Sequence, residues 1–201
     1  MSDDPRDRWR LLAQPEALAA AGLFVVEGRE AIARLLRTDH EVVALLLTPA
    51  ARVALQSAID EWWRQAATNG RLGEPAFPTS VVEVTPAQMR EVTGFNFHRG
   101  ALAMVRRPSL RSVDDLLALP ACRGPHPGGA DVPADHGGRP PNADGRSLFV
   151  VLEHLVDVDN VGSSFRNARA FGASAVLLDD RCADPLYRKA VRTSMGTVLE
   201  L

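Results

Sequence analysis

Apolar residues fall along this chain in short blocks separated by polar turns, and the period changes from block to block. Leu23 to Gly28 (LFVVEG) is a compact apolar run that predicts a buried strand. In residues 29–38 (REAIARLLRT) the apolar positions Ile32, Leu35 and Leu36 share one helical face. Val42 to Leu47 predicts a second strand, closed by Thr48 and Pro49. Residues 50–68 are helical in pattern, with Val53, Leu55, Ile59 and Trp62 as candidate buried positions. Thr79 to Val84 predicts a third strand. Thr85 then offers an N-cap and Pro86 a first helical residue for the stretch PAQMREV. Gly100 to Val105 (GALAMV) predicts a fourth strand. Strands alternating with helices make this an α/β protein, with a sheet expected to be part parallel.

The pattern then stops. Pro120 to Arg146 is dense in Pro, Gly, Ala and Asp and almost free of large apolar side chains. Such a segment buries too little surface to offset its ordering entropy and reads as a flexible linker. Order returns at Leu148 to Leu152 (LFVVL), read as a fully buried strand. A helix over 160–171, a strand over 174–178, a helix over 184–194 and a final strand in TVLEL are expected to follow. The chain thus divides into an N-terminal arm (1–20), an α/β unit (21–110), a helix with the linker (111–146) and a second unit (147–201). Its first ten residues are expected to be mobile. The second unit is small for a parallel sheet, which needs helices on both faces, and it reads as cut short.

At about 100° per residue, Val161, Phe165, Ala168 and Gly172 fall on one face of the helix after LFVVL, whereas Arg166 lies about 140° from Val161 and points away from the core. Gly162 and Gly172 leave room for close approach by another backbone or a ligand. The loop before this helix carries Asp157, Asp159 and Asn160 at the carboxyl end of a strand, where ligand sites of open α/β sheets lie. Each residue also has a plainer explanation. Asn160 is a good helix cap, the aspartates favour turns, and Arg166 and Arg169 suit a solvated face.

Composition changes the picture little. Hydrophobic residues at 46% suffice for a packed core, and a net charge of −2 gives no global sign of a nucleic-acid partner. Lys189 is the single lysine among 23 basic residues. Genomic base composition explains that arginine bias more simply than phosphate recognition does. Local clusters at Arg99, Arg106, Arg107 and Arg111, and at Arg181, Arg188, Lys189 and Arg192, could face RNA phosphates or simply solvent. Cys122 and Cys182 form no CxxC pair, and His126, His136 and their neighbours match no zinc spacing, so no metal is expected. No apolar run approaches the roughly 20 residues that span a bilayer, and the N-terminus is unlike a secretory signal. A cytoplasmic protein away from membranes is expected.

Taken together, LEHLVDVDNVGSSFRNARAFGA (152–173) resembles the first signature motif of the SpoU–TrmH branch of the SPOUT methyltransferases. That motif is a strand, a Glu, an Asp-x-x-Asn-x-Gly loop, an Arg six residues after the Asn, and an Ala-x-x-Phe-Gly ending. Glu153, Asp157, Asn160, Gly162, Arg166, Ala168, Phe171 and Gly172 meet it. The likeness continues through DPLYRKAVRTSMG. Upstream, LFVVEGREAIARLL and TGFNFHRGALAMVRRP look like the start and end of the accessory domain of these enzymes, which resembles ribosomal proteins that bind kinked RNA. Two further family motifs, a Gly-x-Glu strand-loop and a Ser-Leu-Asn segment opening the last helix, do not follow within these 201 residues.

The resemblance implies a ribosomal-protein-like RNA-binding α/β domain followed by an incomplete parallel-sheet domain of the trefoil-knot type. It implies methyl transfer from S-adenosyl-L-methionine to a ribose 2′-hydroxyl of rRNA or tRNA, a homodimer through the completed methyltransferase domain, and no activity for this stretch alone. It carries Arg166, Asn160 and Glu153 over as catalytic candidates. Arg99, Arg106, Arg107, Arg169, Arg188, Lys189 and Arg192 are RNA-binding candidates, and the cofactor residues are expected further downstream. The alternative is a non-catalytic RNA-binding protein that uses the N-terminal domain.

Overall fold

The computed structural model describes residues 9, 11–12, 14–68, 81–93, 99–110, 112–118 and 148–201. Two sheets organise it. The larger is built from β1 (Leu23–Glu27), β2 (Val42–Leu47), β3 (Val81–Glu83) and β4 (Ala101–Arg106) in the order β1-β4-β2-β3. β4 runs antiparallel to both β1 and β2, and β2 and β3 are parallel, so the expected mixed sheet is present.

Side chains alternate across the pleat, and here both faces are covered. Phe24, Val26, Leu45, Leu47, Ala103 and Val105 point into one cluster with α2 (Arg29–Leu35) and α3 (Pro49–Thr68). Val25, Ala44, Leu46, Leu102 and Met104 point into another with α1 (Pro15–Ala20) and Met89 of α4 (Pro86–Thr93). The start of α4 is a capping box: Thr85 Oγ1 accepts from the Gln88 N–H at 3.2 Å, and Gln88 Oε1 accepts from the Thr85 N–H at 2.8 Å.

Three expectations for this half need correction. Trp9 is fully buried in the second cluster beside Leu12 and Leu18, so that part of the N-terminal arm is packed against the sheet and not mobile. Val53 is 77% exposed, because the buried stripe of α3 runs through Ala51, Leu55, Ile59, Trp62 and Ala66. The helix from residue 29 ends at Leu35, although its apolar face is as expected, with Ile32, Leu35 and Leu36 buried. Residues 79–80, Arg111 and the linker 120–146 lie outside the described residues. The helix expected after residue 111 is α5 (Val113–Ala118).

In the second unit β5 (Phe149–Leu152) and β6 (Ala175–Leu178) pair in parallel, joined through α6 (Val158–Ala170), and α7 (Arg188–Thr193) follows. α6 ends in a Schellman turn: Gly172 sits at φ 72°, the Ala173 N–H reaches Ala168 O at 2.8 Å, and the Gly172 N–H reaches Arg169 O at 3.1 Å. β5 is not the fully buried strand its composition suggests, since Val151 is 72% exposed. TVLEL is not a strand. Met195 and Gly196 both adopt positive φ, and this reversal turns Thr197–Leu199 into a buried 3₁₀ turn.

The two units share one core. Val161 and Phe165 of α6, Val191 of α7, and Val198 and Leu199 join the cluster that holds Ile32 and Leu35. α7 lies against β1, and the 3₁₀ turn lies against α2. Gly162 makes the close approach of α6 to α7 possible: a Cβ there would stand 2.6 Å from Ala190 O.

Candidate functional site

The loop after β5 and the loop after β6 are laced together by backbone groups. The Asp179 carboxylate accepts from the N–H of His154 at 3.1 Å and of Arg181 at 3.2 Å. His154 is held at φ 51°, outside the usual range for a residue with a side chain. The Cys182 thiol donates to Leu152 O and accepts from the Leu155 N–H, each at 3.3 Å. The Cys182 thiol and these backbone N–H groups hold the Asp179 carboxyl below the usual carboxylate range. A cysteine that sequence alone leaves without a role is thus part of the loop's framework.

Asp157, and not Asn160, caps α6: its Oδ1 accepts from the Asn160 N–H at 2.8 Å. Asn160 lies within the first turn, exposed. Asp159 points back to α7, accepting from Thr193 Oγ1 at 3.0 Å and from Lys189 Nζ at 2.7 Å. The Lys189 hydrogen bond, then that from Thr193, lowers the Asp159 pKa, and the same pairing raises that of Lys189. Arg166 stands on the outer face of α6, exposed, as the helical angle requires. Glu153 is exposed at the end of β5. Among the described residues no hydrogen bond joins Arg166 to Asn160 or Glu153, and all three side chains are exposed.

The cationic candidates are placed differently. Arg106 pairs with Glu41 at 2.8 Å, and Arg107 forks onto both oxygens of Asp184. Arg169 pairs with Glu200 at 2.6 Å, and Glu200 also takes Arg34 at 2.8 Å. Burial alone would raise the Glu200 pKa, but the two arginines outweigh it and the net shift is downward. Arg188 and Arg192 converge on Glu27 at 3.5 and 3.0 Å. Arg99 lines a cavity of about 450 Å³ where the two units meet, together with Arg29, Glu27, Gly28, Thr48 and Arg192. Glu27, only 4% exposed, is the residue that sequence reasoning missed. A glutamate closing an apolar run reads as the strand's polar end, and its arginines lie more than 160 positions away.

Glu153, Asn160 and Arg166 line neither this cavity nor a smaller one beside α1. No group of acidic, histidine or cysteine side chains that could hold a metal occurs among the described residues.

Residues 147–201 match the SpoU rRNA Methylase family model, over the same strand, loop and helix that carry Glu153, Asp157, Gly162 and Arg166. Over this segment the chain is similar to that family. An uncharacterized tRNA/rRNA methyltransferase of Mycobacterium bovis is 30% identical over 197 residues, 98% of this chain and 54% of that protein, and a Mycobacterium tuberculosis counterpart matches equally. The chain spans about half the length of these curated relatives. Among solved structures, the AdoMet-bound rRNA methyltransferase from Sinorhizobium meliloti aligns with a TM-score of 0.64 at 16% identity, covering 99% of this chain and 60% of that one. The SpoU methyltransferase AviRb from Streptomyces viridochromogenes, in complex with AdoMet, aligns with a TM-score of 0.61 at 20% identity and the same coverage. At these identities the likeness is one of fold. No helix among the described residues is long and apolar enough to cross a membrane.

Proposed function

We propose that residues 148–201 supply the RNA-facing edge of a methyl-transfer site that acts on the ribose 2′-hydroxyl of rRNA or tRNA, with S-adenosyl-L-methionine as methyl donor. The observation that carries this reading is the SpoU segment with Arg166 exposed on the outer face of α6, beside the strand-end loop. A ribose hydroxyl is a poor nucleophile, so its developing oxyanion must be stabilised or its proton removed. Arginine stays protonated at any working pH and is a poor general base. Arg166 instead offers its forked N–H groups to the ribose oxygen and a neighbouring phosphate, favouring negative charge where it develops. Asp157 and Asp179 fix the loop from which α6 starts, so they act on Arg166 only by position. The donor itself is to be held by residues beyond those described. The protein works in the cytoplasm, as a homodimer through the completed methyltransferase domain.

The test joins this chain to the remaining C-terminal part of its Mycobacterium tuberculosis relative and supplies radiolabelled methyl donor with total rRNA and tRNA. Alkali-resistant label, the mark of a methylated ribose, is expected, whereas label on bases would refute the reaction. Arg166→Ala should lower turnover by about 10²–10³ while RNA binding persists. An Arg166→Lys enzyme with nearly full turnover would exclude the forked role. Calorimetric titration of S-adenosylmethionine into the 201-residue chain alone should show no binding.

A further inference from the structure

The arginines at the seam between the two units are occupied, and their partners are carboxylates of this same chain. Asp184 takes Arg107, Glu27 takes Arg188 and Arg192, and Glu200 takes Arg34, each pair joining one unit to the other. The arginines remain open to solvent, although Glu27 itself keeps only 4% of its surface. The side chains of Arg107 and Asp184 keep 27% and 39% of their surface, and Arg192 and Arg34 keep 38% and 36%. Two guanidinium groups share the Glu27 carboxylate, and Arg29 and Arg99 line the same cavity, so the seam keeps a positive excess. Beneath it the floor is apolar: Val191, Val198 and Leu199 pack with Ile32 and Leu35. That floor holds the units together whether or not the rim pairs are made, so the rim arginines can change partners without the units separating.

We propose that this seam is a carboxylate-guarded RNA-binding face, in which RNA phosphates replace Asp184 and Glu27 on Arg107, Arg188 and Arg192. The inference rests on RNA being the ligand of this protein. A phosphate offers the same forked acceptor geometry as a carboxylate. RNA also gains from the counterions it releases, a gain the fixed carboxylates lack. The guard therefore sets a threshold: an isolated small anion gains nothing by the exchange, whereas a strand presenting several phosphates in register does. It weakens loose association with any anion and favours a strand that reaches several seam arginines together.

The experiment measures binding of a fluorescein-labelled 20-nucleotide single-stranded RNA to the 201-residue chain by anisotropy, over a series of salt concentrations. Asp184→Asn keeps the Oδ1 acceptor used by the Leu186 N–H but removes the charge paired with Arg107, whose Nε still donates to Leu23 O. It should tighten binding about three- to tenfold and steepen the salt dependence by roughly one phosphate contact. Glu27→Gln should do the same through Arg188 and Arg192. Because Glu27 is buried, circular dichroism must first show that variant folded, and Asp184→Asn carries the test if it is not. Asp60→Asn, which removes a charge on the outer face of α3, is the control and should change affinity by less than about twofold.

The decisive comparison is the double variant. In an Arg107→Ala background the gain from Asp184→Asn should vanish, because the freed guanidinium is what binds. A gain no larger than the control's, or one that survives in the Arg107→Ala background, overturns the guard. If wild type binds RNA in that case, the methyltransferase reading stands untouched. No RNA binding by wild type or any folded variant overturns the guard together with RNA as this chain's ligand.

Discussion

The tetrapeptide Leu-Phe-Val-Val occurs twice, at 23–26 and at 148–151, each time opening a strand and each time followed within two residues by a glutamate. Among the described residues both strands are hydrogen-bonded along one edge, β1 to β4 and β5 to β6. Their fates differ all the same. Val26 is fully buried and Val151 is 72% exposed. Glu27 is buried between two arginines, and Glu153 stands open to solvent. Pairing does not make the difference; coverage of the faces does. β1 has helices on both sides, whereas among the described residues the face of β5 that carries Val151 is open. A string of four apolar residues specifies a strand, and the rest of the chain decides whether both sides of it are inside.

That comparison can be broken by placing the same change at the same position of the two strings. Val26→Asp puts an unpaired charge in the core and should cost about 4–5 kcal/mol or more, enough to abolish folding. Val151→Asp should cost less than about 1 kcal/mol in a urea titration. Equal costs would mean that the outer face of β5 is covered in solution. Gly162→Ala tests the other side of the second unit, where a Cβ would press on Ala190 O. A loss of about 1–3 kcal/mol is expected, in one cooperative transition for both units. Two separated transitions would show that the shared cluster does not couple them.

The smallest effect concerns His40, whose Nε2–H donates to Leu199 O at 3.1 Å across the seam. Burial lowers its pKa, against opposing contributions from that carbonyl and from Asp39. The unfolded chain therefore takes up a proton before the folded one does. Stability is complete above the unfolded value of about 6.5 and falls as pH drops below it toward the lower folded pKa. Urea midpoints between pH 8 and 5.5 should show that decline, and His40→Gln should flatten it.

Much of the first unit was legible in the sequence because its signals are local. A six-residue run rich in Val and Leu and bounded by Thr-Pro favours a short strand, and Thr85-Pro86 with Gln88 three positions after the threonine marks a helix start. Val53 misled because an apolar residue in a helical stretch was counted inward without its angle to Leu55. TVLEL misled for another reason: short apolar runs do not distinguish strand from helix, and the turn at Met195 and Gly196 decided the matter. At the candidate site the helix and the outward direction of Arg166 followed from spacing. The cap did not, since Asp157 and Asn160 are both good caps three residues apart. The ion pairs could not be read at all. Arg107 and Asp184 are 77 positions apart, and nothing near either one names the other.

The shared cluster beneath the seam also bears on how the two halves depend on each other. Val161, Phe165 and Val191 are buried with Ile32 and Leu35, which come from the other half of the chain. Apolar surface therefore holds the halves together, and a substitution in either half that opens this cluster loosens both.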